Sequence, residues 1–370
     1  MNNTIWLNVG EASADIYGAL LIQELLSKDK RLNIIGMGGP AMREAGLNTI
    51  IKAEDLSVMG LTEVLSALPR ILGFFKKIKT ELERRRPKVL VLFDAPDFNF
   101  RLARMAKKLG IPVVYYIAPQ VWAWRKSRIK FLKKFVDRIL CIFPFEQSFF
   151  AQHGLQTVYV GHPLLQVMDV KKLNQIEPDP HKIVILPGSR VKEIKALLPV
   201  FADCCQILKQ KKPDLTFSIV KSPHINQELL NTFWPGNLSV SIYDPEDRHK
   251  IIANSCLALA ASGTVTLECA LLKVPAIVAY KLSWLSYLVG RLLVDVPFIS
   301  MPNLILNQKI FPEYIQDQAN PDKIAAKAFA WLENDTQRQE IRNKLTKIQQ
   351  LLGQNQATQL AARTVMEYVK

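Results

Sequence analysis

The chain has 370 residues, 49% of them apolar, and its 48 Lys and Arg against 33 Asp and Glu give a formal net charge of +15. This composition excludes a disordered chain and favours two packed domains, because a single core rarely grows to this length. A positive field of this size attracts nucleic acid, phosphorylated substrates or an anionic membrane surface, and charge alone does not choose among them.

The amino terminus and the cysteines indicate the compartment. No basic segment followed by a long apolar core opens the chain, and no window of about 18 residues is apolar and free of charge, so we expect neither a signal peptide nor a spanning helix. The five cysteines lack CxxC pairs and are interpreted as reduced packing residues. The sequence therefore predicts a cytoplasmic protein.

The first half of the chain alternates strands and helices. Helical patterns such as DIYGALLIQELLSK and ILGFFKKIKTELERRR separate the predicted strands, which are TIWLNVG, LNIIGMGG, KVLVLF, IPVVYYIA and RILCIF. These apolar runs are continuous rather than alternating, which is typical of strands buried on both faces of a parallel sheet.

The second half repeats the pattern after a polar pause that follows Gly161-His162-Pro163. Its predicted strands are KIVILP, LTFSIV, LSVSIY, CLALAAS and VPAIVAY, and helices follow from about Pro321. We therefore predict an α/β fold of two doubly wound, Rossmann-like parallel-sheet domains with a cleft between them. The expected domains are residues 1–165 and 166–345, and a C-terminal helix at 346–370 is expected to pack back toward the first domain.

Acidic residues follow two of the predicted strands in the first half. Ligands bind outside the carboxyl ends of parallel strands, and Asp94 ends KVLVLF at that edge. A carboxylate there can accept a proton from a substrate hydroxyl, whereas the alternative for Asp94 is to cap the next helix. Asp97 is the expected cap of that helix. Glu11 follows the first strand and is assigned to the cleft, because Ser13 or Asp15 is expected to cap the helix after it.

A turn in the second half is predicted to bind an anion. In VILPGSR, the residues Gly188, Ser189 and Arg190 lie between a strand and a helix, where helical N–H groups, a close backbone approach and a guanidinium suit a phosphate. The alternative is an ordinary strand-to-helix turn with a solvated arginine.

A second turn of this kind lies in ASGTVTLE. Ser262, Gly263 and Thr264 can bond a diphosphate, and Glu268 can accept both hydroxyls of a ribose. The alternative for Glu268 is a surface acid. Asn303 is either a satisfied loop amide or a substrate contact. Neither GxGxxG after the first strand nor a Walker loop occurs, so dinucleotide oxidoreduction and ATP hydrolysis lose support.

An apolar stripe followed by a basic run lies between the second and third predicted strands. Its members recur at helical spacing with one adjacent phenylalanine, and they are Val64, Leu65, Leu68, Ile71, Leu72, Phe74 and Phe75. A core helix explains the stripe, and so does contact with an anionic bilayer. Pro69 is expected to break one regular helix here and to favour a bent surface element. The aromatic residues of the later segment WRKSRIKFLKKFVDR match no nucleic-acid-binding motif, so nucleic acid is not a predicted partner.

Nine short motifs together carry a resemblance that covers nearly the whole chain. GEASAD, VMGLTEVL, FDAPDFN, PQVWAWR, FPFE, GHP, LPGSR, ASGTVTLE and MPNLI occur in the order in which they occur in the lipid-A-disaccharide synthases. The chain resembles that family, which implies an inverting glycosyltransferase of the GT-B fold. Such an enzyme joins UDP-2,3-diacylglucosamine to 2,3-diacylglucosamine 1-phosphate and releases UDP, with no cofactor and no metal, as a peripheral protein of the inner membrane. A homodimer is left open.

The resemblance also implies roles for single residues. Asp94 would be the base for the 6-hydroxyl of the acceptor, Ser189, Arg190 and the Ser262-Gly263-Thr264 turn would hold UDP, and Glu268 would hold its ribose. Glu11 and Asn303 match positions that the family needs for activity. Ala14 stands where the family motif GEASGD has its second glycine, and we expect ordinary backbone angles there.

Two other classes of protein remain as alternatives. One is another GT-B enzyme that uses a UDP-sugar, such as a UDP-N-acetylglucosamine 2-epimerase or a soluble glycosyltransferase, for which no lipid-binding surface is needed. The other is a non-catalytic module that binds a membrane or nucleic acid, which would have no affinity for UDP.

Overall fold

The computed structural model describes residues 3–10, 12–57, 64–123, 127–223, 225–282, 284, 287, 296–353 and 356–369. The chain forms two compact units, Met1–Val167 together with Leu352–Lys370, and Met168–Leu351. The units therefore divide at 167/168 and at 351/352. The boundaries expected from the sequence were 165/166 and 345/346.

The first unit is built on a seven-stranded sheet in the order β3-β2-β1-β4-β5-β6-β7. Its strands are β1 (Thr4–Val9), β2 (Asn33–Gly38), β3 (Asn48–Lys52), β4 (Val89–Phe93), β5 (Val113–Tyr116), β6 (Arg138–Cys141) and β7 (Thr157–Tyr159). All of its strand pairs are parallel. Strands β1 and β4 are buried along their whole length, as their continuous apolar runs predict.

Helices cover this sheet because each parallel crossover must return across it. They are α1 (Ala12–Lys28), α2 (Pro40–Glu44), α3 (Glu54–Ser57), α4 (Val64–Arg85), α5 (Pro96–Lys108), α6 (Arg128–Phe135), α7 (Pro144–Gln152) and α8 (Leu164–Val167). The strand order reverses between β1 and β4, where Val9 pairs with Phe93. The segments that follow these two strands therefore lie at the position where doubly wound sheets bind ligands.

The second unit has a six-stranded sheet in the order β10-β9-β8-β11-β12-β13. Its strands are β8 (Asp179–Leu186), β9 (Thr216–Val220), β10 (Ser241–Tyr243), β11 (Ser255–Ala261), β12 (Ala276–Tyr280) and β13 (Glu313–Ile315). The pairs are again parallel. The order reverses between β8 and β11, where Leu186 pairs with Ala260, so this unit has a switch point of its own.

The described helices of the second unit lie between these strands and after them. They are α9 (Val170–Leu173), α10 (Val191–Lys211), α11 (Gln227–Phe233), α12 (Arg248–Ala253), α13 (Thr264–Leu271), α14 (Met301–Leu306), α15 (Pro321–Leu332) and α16 (Asp335–Leu351). The last helix, α17 (Ala357–Met366), belongs to the first unit. There it packs on α1, and the Thr358 N–H donates to Gln166 Oε1 over 2.9 Å.

Two expectations about single residues are confirmed in this fold. Ala14 lies in the first turn of α1 and has no positive φ. All five cysteines are buried thiols without a disulfide, and burial raises the pKa of each of them. Within the described residues, no helix is both long enough and apolar enough to cross a bilayer.

The expected effect of Pro69 is wrong. Helix α4 runs unbroken from Val64 to Arg85 with Pro69 inside it. Pro69 lies in the second turn, where the missing N–H removes one hydrogen bond near a helix end that already leaves its first N–H groups unpaired.

The expected role of Asp15 is also corrected. Helix α1 begins at Ala12, so Asp15 lies inside it. Its carboxylate instead accepts hydrogen bonds from the N–H groups of Gly39, Ala41 and Met42, at 2.6, 2.9 and 3.3 Å. Asp15 thus caps the start of α2, where a negative charge also complements the helix dipole.

Candidate functional site

Asp94 directly follows the buried strand β4, at the switch point of the first sheet. It has φ 43° and Ala95 has φ 40°, so two successive residues with a Cβ adopt the left-handed conformation. The Asp94 N–H donates to the Ile117 carbonyl over 3.2 Å, and Ile117 itself has φ 61°. This turn is a strained connection of the kind that recurs at functional sites. The side chain of Asp94 is half-buried.

Buried polar side chains hold the Asp94 turn. Asn99 Nδ2 donates to the carbonyls of Phe93 and Asp94, at 2.9 and 2.7 Å, and Tyr115 Oη donates to the Asp94 carbonyl at 2.6 Å. Asn8 Nδ2 donates to Asn99 Oδ1 at 2.8 Å. This network was not predicted from the sequence. Its available signal is Asn8, a polar residue inside the apolar strand TIWLNV.

Asp97 does not occupy the cap position expected for it. Helix α5 begins at Pro96 with Ala95 at the N-cap, and proline is favoured at this first helical position. Asp97 lies in the first turn and forms an ion pair with Arg128 of α6. Glu11, the other acid predicted at this edge, lies outside the described residues.

The motifs PQVWAWR and FPFE meet at a buried carboxylate. Glu146 of α7 accepts hydrogen bonds from Trp122 Nε1 and from the N–H groups of Ile142 and Phe143, at 3.1, 3.0 and 3.1 Å. Burial raises the pKa of Glu146 to about 7, and these three hydrogen bonds limit the rise. Glu146 therefore joins the Trp122 turn to the end of β6.

We expect Glu146 to make stability depend on pH. The unfolded carboxyl titrates near pKa 4.5 and the folded one near 7, so between these values the folded state binds more protons. Its contribution is fully present below pH 4.5 and is lost as the pH rises through 7, by about 3 kcal/mol in the free energy of unfolding. Chemical denaturation at pH 5 and pH 8 measures this change. The native protein should exceed Glu146→Gln in free energy of unfolding by less at pH 8 than at pH 5. An equal difference in this free energy at both pH values would contradict the expectation.

The first predicted phosphate turn lies after β8, and Glu193 of α10 contacts it. Gly188 has φ 117°, a conformation that favours glycine, and Arg190 is the N-cap of α10. Glu193 Oε2 accepts hydrogen bonds from the N–H groups of Ser189 and Arg190, at 2.9 and 3.3 Å. A phosphate that used these two N–H groups would have to displace the Glu193 carboxylate.

The second predicted phosphate turn lies after β11, beside the first one at the switch point. Ser262 donates its hydroxyl to the Ile299 carbonyl over 2.8 Å. Gly263 and Thr264 are exposed, and among the described residues no heavy atom beyond Gly263 and its two chain neighbours lies within 4 Å of the position that a Cβ on Gly263 would occupy. The open side of this turn leaves space for a ligand close to the backbone at the start of α13.

Glu268 is buried, which removes the surface acid as an interpretation. Its Oε2 lies 2.9 Å from Arg248 Nε, and its Oε1 lies 3.8 Å from His249 Nε2. Within the described part of the chain, Arg248 Nε, His249 Nε2 and Glu268 Oε2 have no hydrogen-bond partner, so the contact with Arg248 is ionic rather than directed. These groups retain hydrogen-bonding capacity for a polar ligand such as a ribose. Arg248 was not predicted as a site residue from the sequence.

Asn303 is fully buried and makes four hydrogen bonds within the second unit. Nδ2 donates to the Phe311 carbonyl and to Glu313 Oε1, both at 2.8 Å, and Oδ1 accepts from the N–H groups of Ile310 and Phe311, at 2.8 and 2.9 Å. An amide side chain has two donor hydrogens and two lone pairs. Asn303 lies in α14 rather than in the expected loop, and these contacts favour a satisfied structural amide over the substrate contact.

The apolar stripe on α4 is partly exposed where the structure describes its side chains. Leu72 is 56% exposed, and Ile71, Phe74 and Phe75 are half-buried. Phe75 stacks on Phe98, with ring centroids 4.6 Å apart. The side chains of Val64, Leu65 and Leu68 lie outside the described set. The described stripe thus has a packed edge at Phe75 and an exposed edge at Leu72.

Solved structures with the same fold include UDP-sugar enzymes. The UDP-GlcNAc 2-epimerase from Neisseria meningitidis bound to UDP-GlcNAc has a TM-score of 0.69 at 13% identity, covering 98% of this chain and 100% of that chain. The glycotransferase of kitacinnamycin has a TM-score of 0.65 at 15% identity, with 99% of each chain covered. At these identities the similarity shows the fold, which is the two-sheet GT-B fold expected from the sequence.

Sequence relatives are much closer. The family model described as Lipid-A-disaccharide synthetase matches residues 5–366. The lipid-A-disaccharide synthase of Anaeromyxobacter dehalogenans (strain 2CP-C) is 37% identical over 373 residues, which cover 99% of this chain and 97% of that protein. That of Myxococcus xanthus is 35% identical over 366 residues, covering 97% and 95%. The chain therefore belongs to the lipid-A-disaccharide synthase family of glycosyltransferases.

Proposed function

We propose that this protein is an inverting glycosyltransferase that condenses UDP-2,3-diacylglucosamine with 2,3-diacylglucosamine 1-phosphate. The products are the β-1,6-linked disaccharide 1-phosphate and UDP. The observation that supports the proposal is the position of Asp94, whose half-buried carboxylate lies on a strained turn at the switch point of the first sheet. Family membership supplies the reaction class, and this carboxylate supplies the base that an inverting transfer needs.

The reaction needs one proton acceptor and one stabilised leaving group. Asp94 takes the proton of the acceptor 6-hydroxyl while that oxygen attacks C1 of the donor sugar. The bond from C1 to the diphosphate oxygen breaks, and UDP leaves with the bonding electrons. Attack from the face opposite UDP inverts the configuration at C1.

The turn after β11 and the acid in α13 are the proposed binding site for UDP. Gly263 and Thr264 lie at the start of a helix, whose N–H groups and dipole suit the diphosphate. Glu268 keeps hydrogen-bonding capacity for the ribose hydroxyls. Arg190 adds a mostly exposed guanidinium from the neighbouring turn, and Ser189 stands beside it. This arrangement would stabilise the negative charge that develops on the leaving group.

Mass spectrometry of the reaction products tests the proposal directly. The purified protein in detergent is mixed with UDP-2,3-diacylglucosamine and 2,3-diacylglucosamine 1-phosphate, and the disaccharide 1-phosphate and UDP are measured together. Equimolar formation of both products supports the proposal. UDP binding without disaccharide would instead favour another UDP-sugar enzyme, and epimerised donor would identify an epimerase.

We also propose that the exposed edge of α4 contacts the cytoplasmic surface of the inner membrane. Leu72 supplies apolar area there, and Arg70 lies over the Phe74 ring at 5.7 Å. Apolar side chains with cations beside them suit the boundary between acyl chains and anionic headgroups. Both proposed substrates carry acyl chains, so a protein at this surface would meet them there.

Replacing Ile71 and Leu72 with Ser should release the protein from anionic vesicles. Each lost aliphatic side chain removes buried area at the bilayer, so we expect vesicle binding to fall by roughly tenfold or more in a flotation assay. The matched control is Leu351→Ser, which makes the same change at a leucine that is 41% exposed in the second unit. A double variant that no longer melts cooperatively would show that these residues belong to the core instead.

A further inference from the structure

We propose that Asn8 and Asn99 are a positioning pair that sets the orientation of the Asp94 carboxylate for proton transfer. The catalytic part of this inference rests on the proposed function of Asp94. Neither asparagine reaches the surface, since both side chains are fully buried, and so they would act through the turn rather than on a substrate.

The backbone conformation of the turn that carries Asp94 is unfavourable by itself and needs support from the surrounding structure. The left-handed region is unfavourable for residues with a Cβ, yet Asp94, Ala95 and Ile117 all occupy it. These three residues are joined, because the Asp94 N–H donates to the Ile117 carbonyl and Ala95 follows Asp94. Such a conformation persists only where the surrounding structure over-determines it.

Asn99 supplies that constraint with one amide group. Its two N–H donors are used on the successive carbonyls of Phe93 and Asp94, which brackets the peptide between the last residue of β4 and the proposed base. The Asp94 carbonyl also accepts from Tyr115 Oη. Because the carbonyl and the N–H of Asp94 are both fixed, the direction of its Cα–Cβ bond is fixed as well.

Asn8 fixes the amide of Asn99 in turn. Its Nδ2 donates to Asn99 Oδ1, which orients the Asn99 side chain so that both of its N–H donors face the turn. Asn8 lies on β1, Asn99 on α5 and Tyr115 on β5. The two strands that flank β4 and the helix after it therefore hold Asp94 in place.

The effect on kcat per folded molecule distinguishes a positioning pair from a network that only supports folding. Asn99→Leu keeps the branched shape and the number of side-chain heavy atoms, and it removes the two hydrogen bonds that Asn99 donates and the one that it accepts. We expect kcat per folded molecule to fall on the order of 100-fold in this variant. The KM for either substrate and the affinity for UDP should stay within about twofold, because the groups proposed to bind UDP lie in the other unit. If the network only supports folding, stability falls but kcat per folded molecule does not.

Two further variants sharpen this distinction. Ala95→Gly relaxes a left-handed residue without removing a hydrogen bond, so the melting temperature should hold or rise and kcat should be kept, because the hydrogen bonds that fix Asp94 remain. Asn8→Leu should lower kcat less than Asn99→Leu, and the double variant should be no worse than Asn99→Leu alone, because Asn8 acts only through Asn99.

Asp137→Ala is the matched control for lost stability in the same sheet. Asp137 Oδ2 accepts from the Val113 N–H over 2.8 Å at the opposite end of β5, and Oδ1 pairs with Lys107. We expect this variant to melt earlier and to keep its kcat. A loss of kcat in Asp137→Ala equal to that in Asn99→Leu would overturn the proposal, because any destabilisation would then have the same effect.

A crystal structure of Asn99→Leu tests the geometric part without reference to activity. We expect Asp94 or Ala95 to leave the left-handed region in it. If both keep φ near their native values, the pair does not set the turn and the proposal is overturned, whatever the kinetics. Absence of product from the native protein would overturn the proposed function, whereas product from the native protein and an unchanged kcat in Asn99→Leu would overturn the positioning role alone.

Discussion

Asp94→Asn is expected to reduce kcat on the order of 1,000-fold, because an amide cannot accept the proton of the acceptor hydroxyl at neutral pH. The change keeps the size and shape of the side chain, and it keeps the hydrogen bonds that the backbone N–H and carbonyl of Asp94 make with Ile117, Asn99 and Tyr115. The folded structure and the affinity for UDP should therefore be retained. The measurement is the initial rate of disaccharide formation at saturating substrates, together with a thermal melt.

Asp97→Asn provides the control three residues away. Asp97 is an exposed acid of the same motif and pairs with Arg128, so its replacement removes the same charge from the same turn of the chain. We expect kcat to stay within about threefold, because the Asp97 side chain is 82% exposed and an ion pair that is open to solvent on one side is weakened by screening. If Asp94→Asn forms product at the native rate, Asp94 is not the base.

Asn303→Ala is expected to destabilise the second unit by about 3–5 kcal/mol. The change leaves the N–H and the carbonyl of Phe311 without their partner, and each buried group left unsatisfied costs about 1–3 kcal/mol. The Ile310 N–H loses Asn303 but still donates to the Gln308 carbonyl over 2.9 Å. Glu313 also loses a donor, although it still accepts from Ile299 and Ser300. The measurement is chemical denaturation, with UDP binding recorded well below the melting temperature.

Asn226→Ala is the control for replacing an asparagine in the same unit. Asn226 caps α11 with one hydrogen bond, from the Leu229 N–H over 3.1 Å, so we expect a loss of about 1 kcal/mol. If Asn303→Ala instead keeps native stability and loses affinity for a UDP-sugar, the side chain is a substrate contact and not a satisfied structural amide.

Strands in the interior of the two sheets were predictable from the sequence, and several strands at the edges were not. The apolar runs of β1, β4 and β11 are continuous because both faces of a central strand are covered. The sequence analysis missed β3, β7 and β13, each of which ends a sheet. All three strands are partly exposed, and β7 and β13 have only three residues each, so they lack the apolar run that marks a strand in a sequence.

Positions in the candidate site were predictable, and their hydrogen bonds were not. Asp94 could be placed because a buried run ends on it, and the carboxyl ends of parallel strands are where ligands bind. Its support by Asn8 depends on a contact between residues 91 positions apart, which no local pattern marks. Glu193 was predictable in principle, since an acid three residues after the N-cap Arg190 has the spacing of a capping box.

The two crossings between the units, at 167/168 and 351/352, determine the order in which the protein can be completed during synthesis. The second unit is one uninterrupted stretch, so all of its residues have been made before the last helix of the chain, α17, is available to the first unit. The surface of α1 that α17 covers therefore stays uncovered until α17 itself has been synthesised. Although domains generally fold in the order of synthesis, the unit that starts first here is the one that finishes last.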